Sequence, residues 1–98
     1  MFLEIATFPV LEGKEAAFEM AIETARVELF EKAEGCLSVQ LRSGVERPRE
    51  YVLLVEWATL EDHTERFRNS SALQVFKGLI GDLVAGAADV AHWRSVTP

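Results

Sequence analysis

Residues 51–57, YVLLVEW, decide the fold of this chain because they are apolar on both alternating faces from Tyr51 to Val55. Successive side chains of a β-strand point to opposite faces of the sheet, so this run predicts a central strand that is covered on both sides. Helices of the same chain can supply one cover. The second face needs another apolar surface.

The segments on either side of this strand extend the sheet. Residues 44–50, GVERPRE, carry a glycine, a proline and four charges, which predicts a hairpin loop. Residues 36–42, CLSVQLR, alternate apolar and polar side chains and predict a half-polar strand that pairs antiparallel with 51–57. A first strand is predicted at Phe2–Val10, FLEIATFPV, and a last strand at 88–96, ADVAHWRSV.

Helices are predicted where apolar residues recur every three or four positions. The first helix has the inward stripe Phe18, Ile22, Ala25 and Leu29, and Gly35 follows as a left-handed stop. Thr59 with Asp62 predicts a capping box for a short helix, and Ser71 with Gln74 predicts another for a longer helix through about Leu83. The buried stripe of the longer helix is Leu73, Phe76, Ile80 and Leu83.

The order strand, helix, strand, strand, helix, strand predicts an α+β fold of the ferredoxin-like βαββαβ type, a single domain over residues 1–98. Both helices then lie on one face of an antiparallel sheet. A second copy of the same sheet is the simplest cover for the other face, which predicts a homodimer. The alternative is that Val52 and Leu54 are tolerated as exposed apolar residues.

Composition narrows the class of protein. The chain has 98 residues, 49% of them hydrophobic, and a formal net charge of −6, which speaks against binding nucleic acid or an anionic membrane surface. No apolar run approaches the roughly 20 residues that span a bilayer, and no leader pattern is recognisable, so we expect a cytoplasmic protein. One cysteine and two histidines predict neither an internal disulfide nor a metal site.

Several segments together resemble the antibiotic biosynthesis monooxygenase family. They are the Gly13-Lys14-Glu15 start of the first helix, EGCLSVQL at 34–41, YVLLVEW at 51–57 and HTERFRNSSAL at 63–73. The resemblance implies a dimeric αβ-barrel with a small apolar cavity in each subunit, between sheet and helices. It also implies oxygenation of electron-rich aromatics without flavin or metal.

The haem-degrading members of that family use an asparagine on the first strand, a tryptophan after the third strand and a histidine on the last helix. This chain has Ala6 or Thr7 near the first position, Phe67 at the second and no histidine in the last helix. Haem degradation is therefore disfavoured, because the axial ligand is missing. The asparagine and tryptophan of some quinone-forming members are absent as well.

His63 is the candidate catalytic base. Leu60, His63 and Phe67 fall on one helical face, so the imidazole is predicted to point inward. An unperturbed pKa near 6.5 lets an imidazole accept a proton from a phenol at neutral pH. The alternative is a structural histidine that is hydrogen-bonded to a backbone carbonyl or to a carboxylate such as Glu56.

The candidate substrate-binding residues are Trp57, Phe67, Arg68, Phe76 and Trp93. By strand alternation Trp57 and Trp93 are predicted on the helix side of the sheet, where they would frame an aromatic slot. Simple core packing is the alternative for Phe67 and Phe76. Arg68 would steer a phenolate or carboxylate at the cavity mouth, or form an ordinary surface ion pair.

Three other polar residues are predicted on the dimer side of the sheet. His92 alternates with Trp93 and is expected to face the partner, and Glu4 and Glu56 are expected between the subunits as interface groups. Two functions remain open at this point. One is a cofactor-free monooxygenase acting on a small phenol, quinol or anthrone-like aromatic, and the other is a dimer that binds a small hydrophobic metabolite without turnover or is mainly structural.

Overall fold

The computed structural model describes residues 1–97. The strands are β1 (Phe2–Pro9), β2 (Cys36–Ser43), β3 (Glu50–Trp57) and β4 (Asp89–Arg94), and the α-helices are α1 (Glu15–Ala25) and α2 (Ser71–Ile80). Two π-helical segments, Arg26–Phe30 and Asp62–Phe67, follow α1 and precede α2. The sheet order is β2-β3-β1-β4 with every neighbouring pair antiparallel, which confirms the α+β ferredoxin-like class.

β3 is a central strand, as predicted, and its two faces differ in burial. Tyr51, Leu53, Val55 and Trp57 are buried on the face that the helices cover. Val52, Leu54 and Glu56 are half-buried on the opposite face, which we call the open face. The apolar residues of α1 and α2 pack on the covered face, with Phe18, Ile22 and Ala25 buried in α1 and Phe76 and Ile80 buried in α2.

Of two predicted helix signals, one is confirmed in full and the other only in its backbone conformation. Gly35 has the expected left-handed φ of 81°, but it lies five residues after Phe30, so it shapes the turn before β2 and does not itself stop the helix. The capping box at Thr59 is present in full, because Thr59 N–H donates to Asp62 Oδ2 at 3.0 Å and Asp62 N–H donates to Thr59 Oγ1 at 3.2 Å.

The predicted cap at Ser71 with Gln74 is wrong. The N-cap of α2 is Ser70, and the Ser70 hydroxyl donates to the Phe67 carbonyl at 2.6 Å instead of accepting from the helix. Only three residues separate the end of the π-helical segment at Phe67 from the start of α2 at Ser71. The Ser70 hydroxyl therefore lies within reach of the Phe67 carbonyl and bonds to it. α2 also ends at Ile80, before the predicted Leu83.

The register of β1 and β4 corrects three predicted orientations. Glu4 lies opposite both Val55 and His92, and residues directly opposite each other share a face, so Glu4 and His92 lie on the helix side. Trp93 lies opposite Leu3 on the open face and is 57% exposed. The sequence left this undecided because both alternating sets of β4 mix apolar with polar residues.

Glu56 lies on the open face, as predicted, where it accepts a hydrogen bond from Ser38 at 2.9 Å. A bulge between Cys36 and Ser38 takes Leu37 out of the predicted alternation and leaves it 56% exposed. Among residues 1–97, no helix has the length and apolar character needed to cross a bilayer.

Candidate functional site

A cavity of about 450 Å³ lies between the helix side of β1, β3 and β4 and the chain from His63 through α2. Its wall is largely apolar and includes Phe8, Phe30, Leu53, Phe67, Phe76 and Ile80. Four ionisable side chains complete it: Glu4, His63, Arg68 and Lys77. An apolar cavity of this size with a few convergent polar groups is typical of a small-molecule site.

The π-helical segment Asp62–Phe67 brings the side chains of His63, Phe67 and Arg68 to one wall of the cavity. Arg68 N–H donates to the His63 carbonyl at 3.1 Å, five residues back. In an α-helix, at 100° per residue, residues five apart would point roughly 140° apart. The wider turn instead allows His63, Phe67 and Arg68 all to line the cavity.

Two contacts fix where this segment begins. The Thr59 capping box holds the first turn, and Asp62 also accepts from Arg66 Nη1 at 2.5 Å. Asp62 packs directly on Gly35, where an added Cβ would lie only 2.0 Å from Asp62 Oδ2. The end of the first helical region is thereby tied to the segment that carries His63.

A chain of four polar side chains runs along the buried end of the cavity. Trp57 Nε1 donates to Glu4 Oε1 at 2.9 Å, and His63 Nε2 lies 3.4 Å from the same oxygen. His63 Nδ1 lies 2.7 Å from His92 Nε2. The indole of Trp57 also stacks on the imidazole of His63, with 5.3 Å between ring centroids and 17° between planes. His63 therefore bridges Glu4 and His92 through its two ring nitrogens.

Burial is the main influence on the charges of Glu4, His63 and His92. It raises the pKa of Glu4 to about 7, even though the hydrogen bond from Trp57 and the positive charge of Arg68 act in the opposite direction. It lowers the pKa of His63 to about 4, helped by His92 and Arg68. The pKa of His92 is also lowered by burial and by Arg68.

These shifts bear on the choice of base. An unperturbed imidazole has a pKa near 6.5, whereas burial lowers the pKa of His63 to about 4. Glu4 is the group that titrates near neutrality. Because burial favours the neutral form of both side chains, their 3.4 Å contact is not a fixed ion pair at neutral pH.

The predicted site residues divide into three groups. His63, Phe67, Arg68 and Phe76 line the cavity. Trp57 is fully buried beneath it, stacked on His63 rather than exposed to the cavity. Trp93 lies on the open face, so its predicted place in an aromatic slot is wrong. The roles of the other five residues stay predictions.

Sequence reasoning assigned Glu4 and His92 to the wrong face and so missed both for the site. Glu4 shares its strand face with Ala6 and Phe8. The opposite face of β1 carries Leu3 and Ile5 and is just as apolar in sequence, so alternation alone did not distinguish them. His92 follows from Glu4 only once the pairing of β1 with β4 is known.

Comparison with known proteins identifies the family of this chain. A sequence profile described as antibiotic biosynthesis monooxygenase matches residues 1–79. The chain belongs to the antibiotic biosynthesis monooxygenase family. It is also 38% identical over 96 residues to the uncharacterized protein YczJ of Bacillus subtilis (strain 168), a match that covers 98% of this chain and all of the relative.

Solved structures of this family share the fold. A candidate antibiotic biosynthesis monooxygenase from Bordetella bronchiseptica is 38% identical, with a TM-score of 0.94 over 98% of this chain and 97% of that one. SnoaB, a cofactor-independent oxygenase from Streptomyces nogalater, superposes with a TM-score of 0.84 over 99% of this chain and 94% of its own, at 14% identity. At that identity the second likeness concerns the fold alone.

Proposed function

We propose that this protein is a cofactor-independent monooxygenase that oxidises a small electron-rich aromatic compound, such as a phenol, quinol or anthrone, with O2. The observation that carries the proposal is the carboxyl of Glu4, whose pKa is raised to about 7, at the buried end of an apolar cavity of about 450 Å³. A general base is most effective when its pKa is close to the working pH. Membership of the family and the fold of SnoaB support the same chemistry.

The first step is removal of a proton from the substrate. The ionised carboxylate of Glu4 accepts the proton of a substrate hydroxyl and leaves an aryloxide in the cavity. His63 lines the cavity beside Glu4 and is neutral at pH 7, so it does not compete for the proton, and its two ring nitrogens face Glu4 and His92. The positive charge of Arg68 at the cavity wall favours the anion.

The later steps use electrons from the substrate itself. The aryloxide transfers one electron to O2, and the aryloxyl radical and superoxide combine at a ring carbon to form a carbon–oxygen bond. The peroxide anion formed takes back the proton held by Glu4. The resulting hydroperoxide loses water as its O–O bond breaks and the C–H proton leaves. One oxygen atom ends in the quinone and the other in water, and the substrate supplies all four electrons that O2 takes up.

The apolar wall contributes by holding the ring and excluding water. Phe67 and Phe76 present aromatic surface to the cavity, and Phe30 stacks on Phe67 with 4.9 Å between ring centroids. Aromatic side chains favour stacked or edge-on contacts with another ring. A radical pair formed in such a cavity is kept from bulk water and reacts internally.

A second function, binding without turnover, is favoured by one observation. Within residues 1–97 every buried side-chain nitrogen or oxygen atom already has a hydrogen-bond partner. Glu4 and His63 are thus satisfied by protein contacts alone, as expected of structural polar groups. In that case the same cavity sequesters a hydrophobic metabolite.

We further propose that the protein is a homodimer in which two open faces pack together. The open face carries apolar side chains on three adjacent strands: Leu3, Ile5, Val52, Leu54, Ala91 and Trp93. The large exposed fraction of Trp93, 57%, supports a partner on this face. A second copy supplies a matching apolar sheet by two-fold symmetry.

Oxygen uptake tests the enzymatic proposal. Metal-stripped protein is given a panel of quinols and anthrones under ¹⁸O2, and we expect uptake with one labelled atom in each product. Glu4→Gln should lower the rate by roughly 10²–10⁴-fold, the usual contribution of a general base. Glu56→Gln on the open face is the matched control and should keep the rate. No uptake by folded wild-type protein with any substrate rules the activity out and favours the binding function.

A further inference from the structure

We propose that the ligand of this cavity is an aromatic acid, whose carboxylate lies at the rim beside Arg68 and Lys77 while its ring occupies the apolar interior. The inference rests on the proposed function of the cavity as a small-molecule site. It goes further because it assigns a charge to the ligand. A ligand of this kind gives a role to Lys77, which neither proton abstraction nor ring packing uses, and adds a second role for Arg68.

Burial separates the ionisable residues of the cavity into two ends. Glu4 and His63 are 6% and 7% exposed and lie at the closed end. Arg68 and Lys77 are exposed and therefore lie where the cavity meets solvent. The closed end thus holds an acid and a neutral imidazole. The exposed Arg68 and Lys77 lie on the solvent side, and the positive charge of Arg68 is near enough to lower the pKa of both Glu4 and His63.

The position of Lys77 follows from the helix that carries it. In α2 the cavity-lining residues are Leu73, Phe76, Lys77 and Ile80, which recur at helical spacing on one face. Lys77 therefore lies on the cavity-lining face of α2, although the residue is exposed to solvent. A lysine in this position lays its aliphatic stem along apolar surface and holds the ammonium group at the edge.

Neither cation is committed to a protein carboxylate. Among residues 1–97, Arg68 and Lys77 form no ion pair, whereas the neighbouring Arg66 contacts Asp62 at 2.5 Å and Glu34 at 3.4 Å. The chain carries a formal net charge of −6 with 16 acidic side chains, so two unpaired cations at one opening run against the general charge of the protein. Arginine and lysine at a binding site recognise anions.

The other end of the cavity excludes the anion. Above pH 7 Glu4 becomes increasingly negative, because its pKa is about 7, and a buried carboxylate repels a second one. A carboxylate on the ligand is therefore stable at the rim and unstable at the closed end. This asymmetry orients the ring, with its reactive hydroxyl towards Glu4 and His63.

Anaerobic calorimetric titration tests the inference without turnover. The probes are 6-hydroxy-2-naphthoate, its methyl ester and 2-naphthol, which share one ring system and differ in charge. We expect the acid to bind roughly tenfold more tightly than the ester at low salt, as a charge-assisted contact predicts. The preference should shrink as NaCl is added, because the rim is exposed.

Paired variants locate the effect. In Arg68→Gln/Lys77→Gln the preference for the acid should disappear, while affinity for 2-naphthol stays within about twofold. The control Arg49→Gln/Lys14→Gln removes the same two charges from exposed positions outside the cavity and should keep the preference. Equal binding of acid and ester by the wild type, no binding of any probe, or a preference that survives in the first double variant overturns the inference.

The outcome is separable from that of the oxygenase proposal. Preference for the acid without oxygen uptake supports the ligand class and refutes the chemistry. Oxygen uptake confined to neutral phenols supports the chemistry and refutes the ligand class.

Discussion

His63 Nδ1 and His92 Nε2 lie 2.7 Å apart, so one of these two nitrogens carries a hydrogen and the other accepts it. This hydrogen bond forms only while one of the two nitrogens carries no hydrogen, so at least one of the rings must be neutral. Burial already lowers the pKa of His63, and the neighbouring His92 lowers it further. The two histidines therefore favour neutral forms together, and with a pKa lowered to about 4 His63 is a weaker base than Glu4, the group we propose as the proton acceptor.

Replacing His92 tests this coupling. In His92→Gln the pKa of His63 should rise above about 4, because one of the influences that lower it is gone. It should remain below 6.5, because burial is the larger cause and persists. Titration of the imidazole resonances by NMR measures the shift. A His63 pKa that is unchanged or lower in the variant contradicts the coupling.

Glu4 makes the stability of the fold depend on pH. Its folded pKa of about 7 exceeds the ordinary 4.5, so the folded state binds more protons than the unfolded chain between these values. The resulting penalty is absent below pH 4.5, grows as the pH rises, and is fully present above 7, where it amounts to about 3 kcal/mol. Glu4→Gln should remove it.

Urea unfolding at several pH values measures this effect as the difference between wild type and Glu4→Gln. The difference should favour the variant increasingly from pH 4.5 to 7.5. Wild type alone is a poor readout, because His63 has a lowered pKa and destabilises the fold as the pH falls below 6.5. As the pH rises from 4.5 to 6.5, the contribution of Glu4 lowers the stability of the wild type while that of His63 raises it.

Trp57 also influences the pKa of the Glu4 carboxyl. Its indole N–H donates to Glu4 Oε1 and thereby lowers the pKa of Glu4, although less than burial raises it. Trp57→Phe removes the donor, so the pKa of Glu4 should rise above about 7 and the acidic limb of the oxygen-uptake profile should move to higher pH. Trp93→Phe, on the open face, is the control. A profile that moves to lower pH in Trp57→Phe would show that the hydrogen bond has the opposite effect.

Two glycines allow a paired test of the contact between Gly35 and Asp62. Gly35→Ala should destabilise the fold by at least ~1 kcal/mol, because a side chain is disfavoured at its φ of 81° and the new Cβ would overlap Asp62. Gly78 lies inside α2 with nothing within 4 Å of an added Cβ, so Gly78→Ala should stabilise by about 0.5–1 kcal/mol. Chemical denaturation measures both, and a neutral Gly35→Ala would refute the contact.

The proposed dimer predicts a difference between two arginine substitutions. Leu54→Arg places a charge at the centre of the open face and should dissociate the protein into monomers, since a buried unpaired charge is costly. Val45 is 88% exposed in the hairpin loop, and Val45→Arg should leave the assembly unchanged. Sedimentation velocity at micromolar concentration distinguishes the results. A wild type that sediments as a monomer, or a Leu54→Arg variant that stays dimeric, contradicts the interface.

Most of the fold could be predicted because hydrophobic periodicity and cap chemistry are local properties. Residues 51–55 are apolar on both strand faces, and this correctly predicted the central strand β3. The Thr59 capping box correctly predicted the start of a short helical segment. The site was harder to predict, because it depends on which face β4 turns inward and on pairing between distant strands. Glu4 and His92 meet only through that pairing.

The other parts of the site that escaped prediction are the π-helical turn and the pKa values. Helical spacing did place His63 and Phe67 inward, and both line the cavity. The extra residue in the turn, which adds Arg68 to the same wall, has no local signature in the sequence. The lowered pKa of His63 depends on burial and on His92, both of which are properties of the assembled fold.

The hydrogen bond from Arg68 N–H to the His63 carbonyl spans five residues. The side chains that line this wall of the cavity therefore depend on the number of residues between His63 and Arg68. Removing one residue between them would restore ordinary α-helical bonding, and the segment could still fold. The guanidinium would then turn out of line with the imidazole. Relatives with a one-residue gap here would thus keep the architecture while changing what the chamber accepts, so small insertions and deletions offer this scaffold a short evolutionary route to new ligands.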